Sequence, residues 1–182
     1  QSLSQALGAT LIAANYSRLL IDLNRPRHAP DSIPLQSEIY QVPGNQHLDE
    51  ATREYRRQQL FTPFHQRLQR IIDRRLAEGR EVRVVGIHSF TPVYYSQPRA
   101  LEVGVLYGSA TAYAARILEG LWTLPIKVAG NQPYEIDPLS DMTVPVHGDA
   151  RGLDSVLIEV RNDLLRSPEA VSRWAGYLAP LL

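Results

Sequence analysis

Short β-branched apolar runs alternate along this chain with longer stretches of helical spacing. Residues 2–7 read as the end of a helix, with Gly8 as the left-handed residue that often closes one. Thr10 to Ala14 and Arg18 to Asp22 then read as a strand, or two short ones, parted by polar Asn15-Tyr16-Ser17. From Leu23 to Leu48 the pattern turns to loop chemistry, marked by Pro26, Pro30, Pro34 and Pro43-Gly44-Asn45. A structureless connection of that length inside a compact domain is usually functional. Asp49-Glu50 places acids in the first turn of a long helix with the apolar stripe Leu60, Phe64, Leu68, Ile71 and Leu76, ending at Glu78-Gly79.

Val82 to Ile87 is a near-continuous apolar strand that delivers His88 at its end. Leu101 to Tyr107 is a second, followed by a helix from about Ser109 to Leu121 and a short strand, Ile126 to Val128, before the loop Gly130-Asn131-Gln132-Pro133-Tyr134. Leu139 to Arg151 reads as a helix with Gly152 after it, although Pro145 interrupts it. Ser155 to Val160 is the last strand, and Ser167 with Pro168 caps and starts a terminal helix. Strands alternating with helices predict an α/β fold in one domain, without repeats or a linker.

Composition removes whole classes of function. Nineteen basic and nineteen acidic residues cancel, so no electrostatic footprint for nucleic acid or an anionic membrane exists. No run approaches the roughly 18 apolar residues of a spanning helix. Gln1-Ser2-Leu3-Ser4 has neither a basic nor an apolar signal region, so no signal peptide and a cytoplasmic location are expected. The absence of cysteine excludes disulfides, thiol nucleophiles and thiolate zinc sites.

Three polar strings follow or close apolar runs: Asp22-Leu23-Asn24-Arg25-Pro26, Ile87-His88-Ser89-Phe90-Thr91-Pro92 and Ile158-Glu159-Val160-Arg161-Asn162-Asp163. In open α/β sheets, ligands sit at the carboxyl ends of strands. Arg25 offers a guanidinium fork for a carboxylate, with Asn24 as an added donor; alternatively Asp22 and Arg25 are a local ion pair pinning the loop. His88 is a candidate metal ligand that Ser89 and Thr91 would orient, although a lone histidine there is more often structural. Glu159 is either paired with Arg161 on the same strand face or a buried carboxylate whose raised pKa suits a general base. His147, before helix-weakening Gly148, is a candidate to touch substrate, whereas His65 reads as packing and His28 and His47 as loop residues. Fork, metal-type ligand and base together describe hydrolysis of an N-acyl amino acid or a C-terminal peptide bond. No H-x-x-E, H-E-x-x-H or H-x-H spacing occurs, so the chain has no self-sufficient zinc motif, and G-x-S-x-G, P-loop and G-x-G-x-x-G are also absent.

These strings, together with the Pro43-Gly44-Asn45 loop, Phe61-Thr62-Pro63-Phe64-His65 and Asn131-Gln132-Pro133-Tyr134, occur in an order that resembles the N-formylglutamate amidohydrolases, in the branch usually labelled predicted. The resemblance runs from about Ala6 to the C-terminus. That family is similar to zinc carboxypeptidases and aspartoacylases in fold and in the order of its functional groups. The resemblance therefore implies a three-layer α/β domain with a central mixed sheet, phosphorylase/hydrolase-like and zinc-exopeptidase-like. It implies a Zn²⁺-dependent hydrolase that cleaves an N-acyl bond of an acidic amino acid, such as N-formyl-L-glutamate, in histidine degradation. By motif, Glu159 would be the catalytic base and acid, and His88 the later metal ligand. Asn24 and Arg25 would hold the substrate carboxylate, joined by Arg18 on a looser spacing and by His147, Asn131 and Tyr134. Family members carry a further N-terminal strand and helix with the first metal ligands, so residues 1–182 are expected to be a single amidohydrolase domain lacking that segment. The partner implied is a small N-acyl amino acid, not nucleic acid or membrane, with a homo-oligomer left open. The rival readings are a carboxypeptidase-like zinc peptidase and a non-catalytic amino-acid-binding remnant.

Overall fold

The computed structural model describes residues 1–182. In chain order the elements are α1 (Ser2–Leu7), β1 (Gln36–Ser37), β2 (Tyr40–Gln41), α2 (Glu50–Arg56), α3 (Thr62–Ala77), β3 (Arg83–Phe90), β4 (Val93–Tyr94), β5 (Gln97–Pro98), β6 (Val103–Leu106), α4 (Thr111–Trp122), β7 (Val128–Gly130), β8 (Asp154–Arg161) and α5 (Pro168–Leu178). Two small antiparallel hairpins, β1–β2 and β4–β5, stand apart from a four-stranded sheet ordered β3-β8-β6-β7. β3 runs parallel to β8, β6 antiparallel to β8, and β7 parallel to β6, so the sheet is mixed and the architecture α/β.

β8 is central and buried on both faces, as its unbroken apolar run requires. On one face Val156, Ile158 and Val160 join Val103 and Val105 beneath α4 and α5, where Ile117, Leu121 and Trp174 close the main core. The opposite face is shorter in apolar side chains. Leu106, Leu157 and Val144 pack there under a π-helical turn at Thr143–Gly148, which in turn rests on α3. Glu159 and His88 belong to this second face, in register on neighbouring strands.

Some expectations hold: Gly8 is left-handed after α1, and Ser167 caps α5 ahead of Pro168; of the two acids expected in the first turn of the long helix, Glu50 is there and Asp49 is its N-cap, accepting from Thr52 N–H at 2.8 Å. Others need correction. Thr10–Ala14 and Arg18–Asp22 form no strand, because no sheet edge receives them. Leu11 is left exposed, and the Asp22 N–H donates instead to Ser32 O across its own loop at 2.7 Å. The long loop has no regular structure beyond the β1–β2 hairpin and a turn of 3₁₀ helix at Pro43–Asn45, yet side chains order it. Asn45 Nδ2 donates to Leu19 O (2.7 Å) and Pro34 O (2.6 Å), and Arg56 donates to Leu20 O and to Asn45 Oδ1.

The long helix is also different in phase. A π-helical turn at Arg57–Phe61 joins α2 to α3 and rotates the buried face, so the buried residues are Arg57, Phe61, His65 and Ile72. The expected stripe sits at the margin, and Leu76 is exposed. Around Pro145 the expected helix is the π-helical turn followed by a 3₁₀ turn at Asp149–Arg151.

Candidate active site

His88 and Glu159 lie inside their strands rather than at the exits, each with two strand residues still to follow. Register places the two side chains on one face, and His88 Nδ1 is 3.9 Å from Glu159 Oε1. On the other side of Glu159 stands Gly104, its antiparallel partner on β6. A Cβ at Gly104 would lie 1.8 Å from Gln132 O, so the glycine exists to admit the backbone of the 130–134 loop onto this face. This face thus carries a histidine at the sheet edge, a carboxyl in the middle and a loop laid against Gly104.

The carboxyl is poorly solvated. Burial is the main cause that raises Glu159 to about 7, with Arg18 and Arg99 pulling the other way, and its Oε2 is buried without a partner. Burial also lowers His88, which Asp22 opposes. A neutral imidazole thus faces a carboxyl that is half ionised near neutral pH, the state a general base needs. Arg161 is not the partner of Glu159: it donates to Asp163 at 2.8 Å and to Arg99 O at 2.9 Å.

Charges on the loop 18–25 surround this pair. Arg18 Nε donates to Asp22 Oδ2 at 2.8 Å, so the ion pair of Asp22 is with Arg18 and not Arg25. Asn24 Nδ2 donates to Asp141 Oδ1 at 2.9 Å, while its Oδ1 accepts from the N–H of Met142 and of Thr143. Arg25 donates to the same Asp141 oxygen at 2.6 Å, to Ser140 O at 3.1 Å and, through Nε, to Asp31 at 2.9 Å; its Nη2 makes no hydrogen bond within the protein. Asn24 and Arg25 are therefore clasped to the 140–143 turn through Asp141, a residue that the sequence reading did not single out.

The other candidates have different surroundings. Asn131, with positive φ, accepts from Tyr107 N–H at 3.0 Å and so shapes its loop. Tyr134 follows it, partly exposed, with Arg99 donating to its hydroxyl at 2.9 Å. His147 is buried and lies nearly coplanar with His65, rings 9° from parallel and centred 5.1 Å apart, with His147 Nε2 2.8 Å from His65 Nδ1. His65 Nε2 lies 2.9 Å from Leu23 O, a carbonyl that only accepts. That assigns the protons: His65 donates to Leu23 O from Nε2, and His147 donates from Nε2 to His65 Nδ1. The two rings tie the turn at Thr143–Gly148 to the residue preceding Asn24, and His147 Nδ1 remains buried without a partner.

A positive charge on that relay is costly, because the imidazoles are buried. Burial, then the charge of His65, lowers His147 from 6.5 to about 4, and burial lowers His65 as well. An unfolded imidazole takes up its proton first, so this pair loses stability as pH falls below 6.5, the loss levelling off below about 4. From His147 alone, pH 5 should be less favourable than pH 7 by about 2 kcal/mol. Urea unfolding at both pH values should show the change in stability from pH 5 to pH 7 differing by this amount between wild type and His147→Gln. An unchanged pH slope would contradict the relay.

A metal site is not complete in these residues. No group of three or more His, Cys, Asp or Glu side chains is arranged to hold an ion. His88 and Glu159 are two candidate donors, and a catalytic zinc takes three protein ligands.

The model of the N-formylglutamate amidohydrolase family matches residues 1–166. The crystal structure of a gene product from Agrobacterium tumefaciens is 42% identical, with a TM-score of 0.93 over 99% of this chain and 71% of that one. An N-formylglutamate amidohydrolase from Ralstonia eutropha is 20% identical, with a TM-score of 0.70 over 99% of this chain and 78% of that one, a likeness of fold. No protein of curated function matches.

Proposed function

This chain belongs to the N-formylglutamate amidohydrolase family, and from that premise we propose that it hydrolyses the N-formyl amide of an acidic amino acid such as N-formyl-L-glutamate, releasing formate and the free amino acid. The observation that carries the proposal is the buried, half-ionised Glu159, its Oε2 free of protein partners, facing His88 beneath a loop rich in arginine.

In this mechanism Glu159 accepts a proton from water as its oxygen attacks the formyl carbon. Glu159 then gives that proton to the amide nitrogen as the C–N bond breaks. Water supplies the oxygen of formate, and the amine leaves protonated. His88 stays uncharged beside the carboxyl and so does not compete for its proton. Arg25, through the donors that Asp31 and Asp141 leave free, holds a substrate carboxylate with Arg18 beside it; the Asn24–Asp141 clasp fixes its position. His147 acts through His65 on the residue preceding Asn24, and Asn131 sets the loop that presents Tyr134.

Zinc dependence is part of the proposal, with His88 the ligand this chain offers. When bound, the metal would polarise the formyl oxygen and acidify water. Kinship of the sheet with the zinc exopeptidases belongs to the same reading, supported by a histidine and a glutamate in register on parallel strands. A chelator should abolish turnover, and zinc should restore it. Turnover indifferent to both would remove the metal from the account.

A screen of N-formyl and N-acetyl amino acids against short peptides tests the reaction class: formate release from N-formyl-L-glutamate should dominate, and preferential peptide cleavage would favour a carboxypeptidase-like enzyme. Arg25 offers a sharper test, because a lysine ammonium cannot bridge Asp31 and Asp141 and still present a free donor as the Arg25 Nη2 does. Arg25→Lys should raise KM for N-formyl-L-glutamate by roughly 10-fold, the scale of one charged hydrogen bond. An analogue amidated at the α-carboxyl should be little affected. Equal losses on both substrates would make Arg25 a strut of its loop.

A further inference from the structure

Arg99 is a cation for which the proposed reaction has so far given no use. Its backbone is fixed from both sides: Arg99 N–H donates to Pro92 O at 2.8 Å, and Arg99 O accepts from Arg161 Nη1 at 2.9 Å. Its guanidinium carbon lies 4.3 Å from the ring centre of Tyr94, 5.2 Å from Tyr134 and 5.6 Å from Phe90. The one side-chain hydrogen bond is from Nη1 to the Tyr134 hydroxyl at 2.9 Å. Arg18, Arg25 and Arg161 each pair with a carboxylate of the protein, but Arg99 pairs with none. A guanidinium has five N–H donors, so four are left without a protein acceptor.

Two links bring this cation to the catalytic face. Phe90 stands two residues beyond His88 on β3, and residues two apart on a strand share a face. Tyr134 follows Gln132, whose carbonyl rests against Gly104 beside Glu159. Consistent with both, the Arg99 charge is felt at Glu159, second among the charges after that of Arg18. Aromatic rings hold a guanidinium in place without neutralising it, and an unneutralised fork is a receptor for a carboxylate.

We propose that Arg99, held by Phe90, Tyr94 and Tyr134, binds the side-chain carboxylate of the substrate and makes the enzyme selective for N-formyl dicarboxylic amino acids. This rests on the reaction proposed above, with Arg25 taking the α-carboxylate and Arg99 the second. Tyr134 is then a positioning residue that orients the fork. The two cations, whose charges both reach Glu159, set the spacing between carboxylates that the site accepts.

The test compares N-formyl-L-glutamate with N-formyl-L-glutamine, an isostere without the second charge. Arg99→Gln should lower kcat/KM for N-formyl-L-glutamate by roughly 10–100-fold, mainly through KM, and leave the glutamine analogue nearly unchanged. Arg99→Lys should recover part of the loss. Equal losses on both substrates, or none on either, would overturn the assignment. Calorimetry with glutarate and butyrate gives a readout that needs no turnover. Wild type should favour glutarate, and Arg99→Gln should lose that preference; glutarate binding unaltered by Arg99→Gln would also overturn it. An enzyme that binds glutarate through Arg99 but releases no formate would count against the proposed reaction and leave the carboxylate site standing.

Discussion

Replacing Glu159 by glutamine is expected to make the metal-free protein more stable and nearly inactive at once. The carboxyl titrates near 4.5 when unfolded and about 7 when folded, because burial disfavours its charge. A group with a raised folded pKa favours the fold below its unfolded value, and that advantage disappears as pH climbs through the folded value. At pH 8 the charged, buried Glu159 should therefore cost about 3 kcal/mol, which the neutral amide avoids. Over pH 5 to 7 this slope opposes that of His147, so wild-type stability should vary little there from these two groups. Glu159→Gln should then uncover the His147 slope, and His147→Gln the Glu159 slope. Turnover in Glu159→Gln should fall by roughly 10²–10⁴, the usual scale of general acid–base catalysis. Urea unfolding at pH 8 with a parallel formate assay checks both. Lower stability with retained turnover would show that Glu159 is an ordinary structural carboxyl.

Gly104→Ala should be the most disruptive small substitution in the site. The added methyl would lie 1.8 Å from Gln132 O and 3.0 Å from its carbonyl carbon, which are backbone atoms that no side-chain rotation can move away. At Gly120 the same change meets only Leu181 side-chain atoms, the nearest a terminal methyl at 2.2 Å, which a rotation of that half-buried side chain can move. Overpacking against fixed atoms typically costs about 1–3 kcal/mol, and relief at Gly104 requires the 130–134 loop to lift. Tyr134 would leave with it, and Arg99 would lose its hydrogen bond. Gly104→Ala should therefore cut kcat/KM on N-formyl-L-glutamate at least as severely as Arg99→Gln, by roughly 100-fold or more. Gly120→Ala should stay close to wild type. Thermal unfolding and kinetics of the two variants side by side make the comparison, and similar mild losses in both would mean that the loop wall has no part in the site.

The parts of this fold that could be read directly are those where local pattern and tertiary role agree. β6 and β8 are apolar runs because the sheet is covered where they lie, β3 at the edge keeps the run although Ile87 is exposed, and the cap at Ser167 is a local hydrogen bond. Thr10–Ala14 has the composition of a strand but no neighbouring edge, and pairing is not written in one segment. The π-helical turn at Arg57–Phe61 moved His65 into the interior, a change of phase that spacing alone does not reveal. In the site, Asn24, Arg25, His88 and Glu159 stood out as polar residues in or beside apolar runs. Asp141 did not, because its meaning comes from Asn24, 117 residues away in sequence. Arg99 was hidden for a related reason: its partners are rings from three separate segments, and a cation among aromatics leaves no charge pattern along the chain. The doublet Tyr94-Tyr95 shortly before it was the available hint.

The central claim is that water attacks a formyl carbon with Glu159 as base. The most direct measurement is hydrolysis of N-formyl-L-glutamate in H₂¹⁸O, with formate and glutamate quantified together by mass spectrometry for wild type and Glu159→Gln. The expected result is equimolar products, one heavy oxygen in formate, none in glutamate, and formation slowed by roughly 10²–10⁴ in the variant. No formate from wild type, or labelled formate at an undiminished rate from Glu159→Gln, would contradict the account.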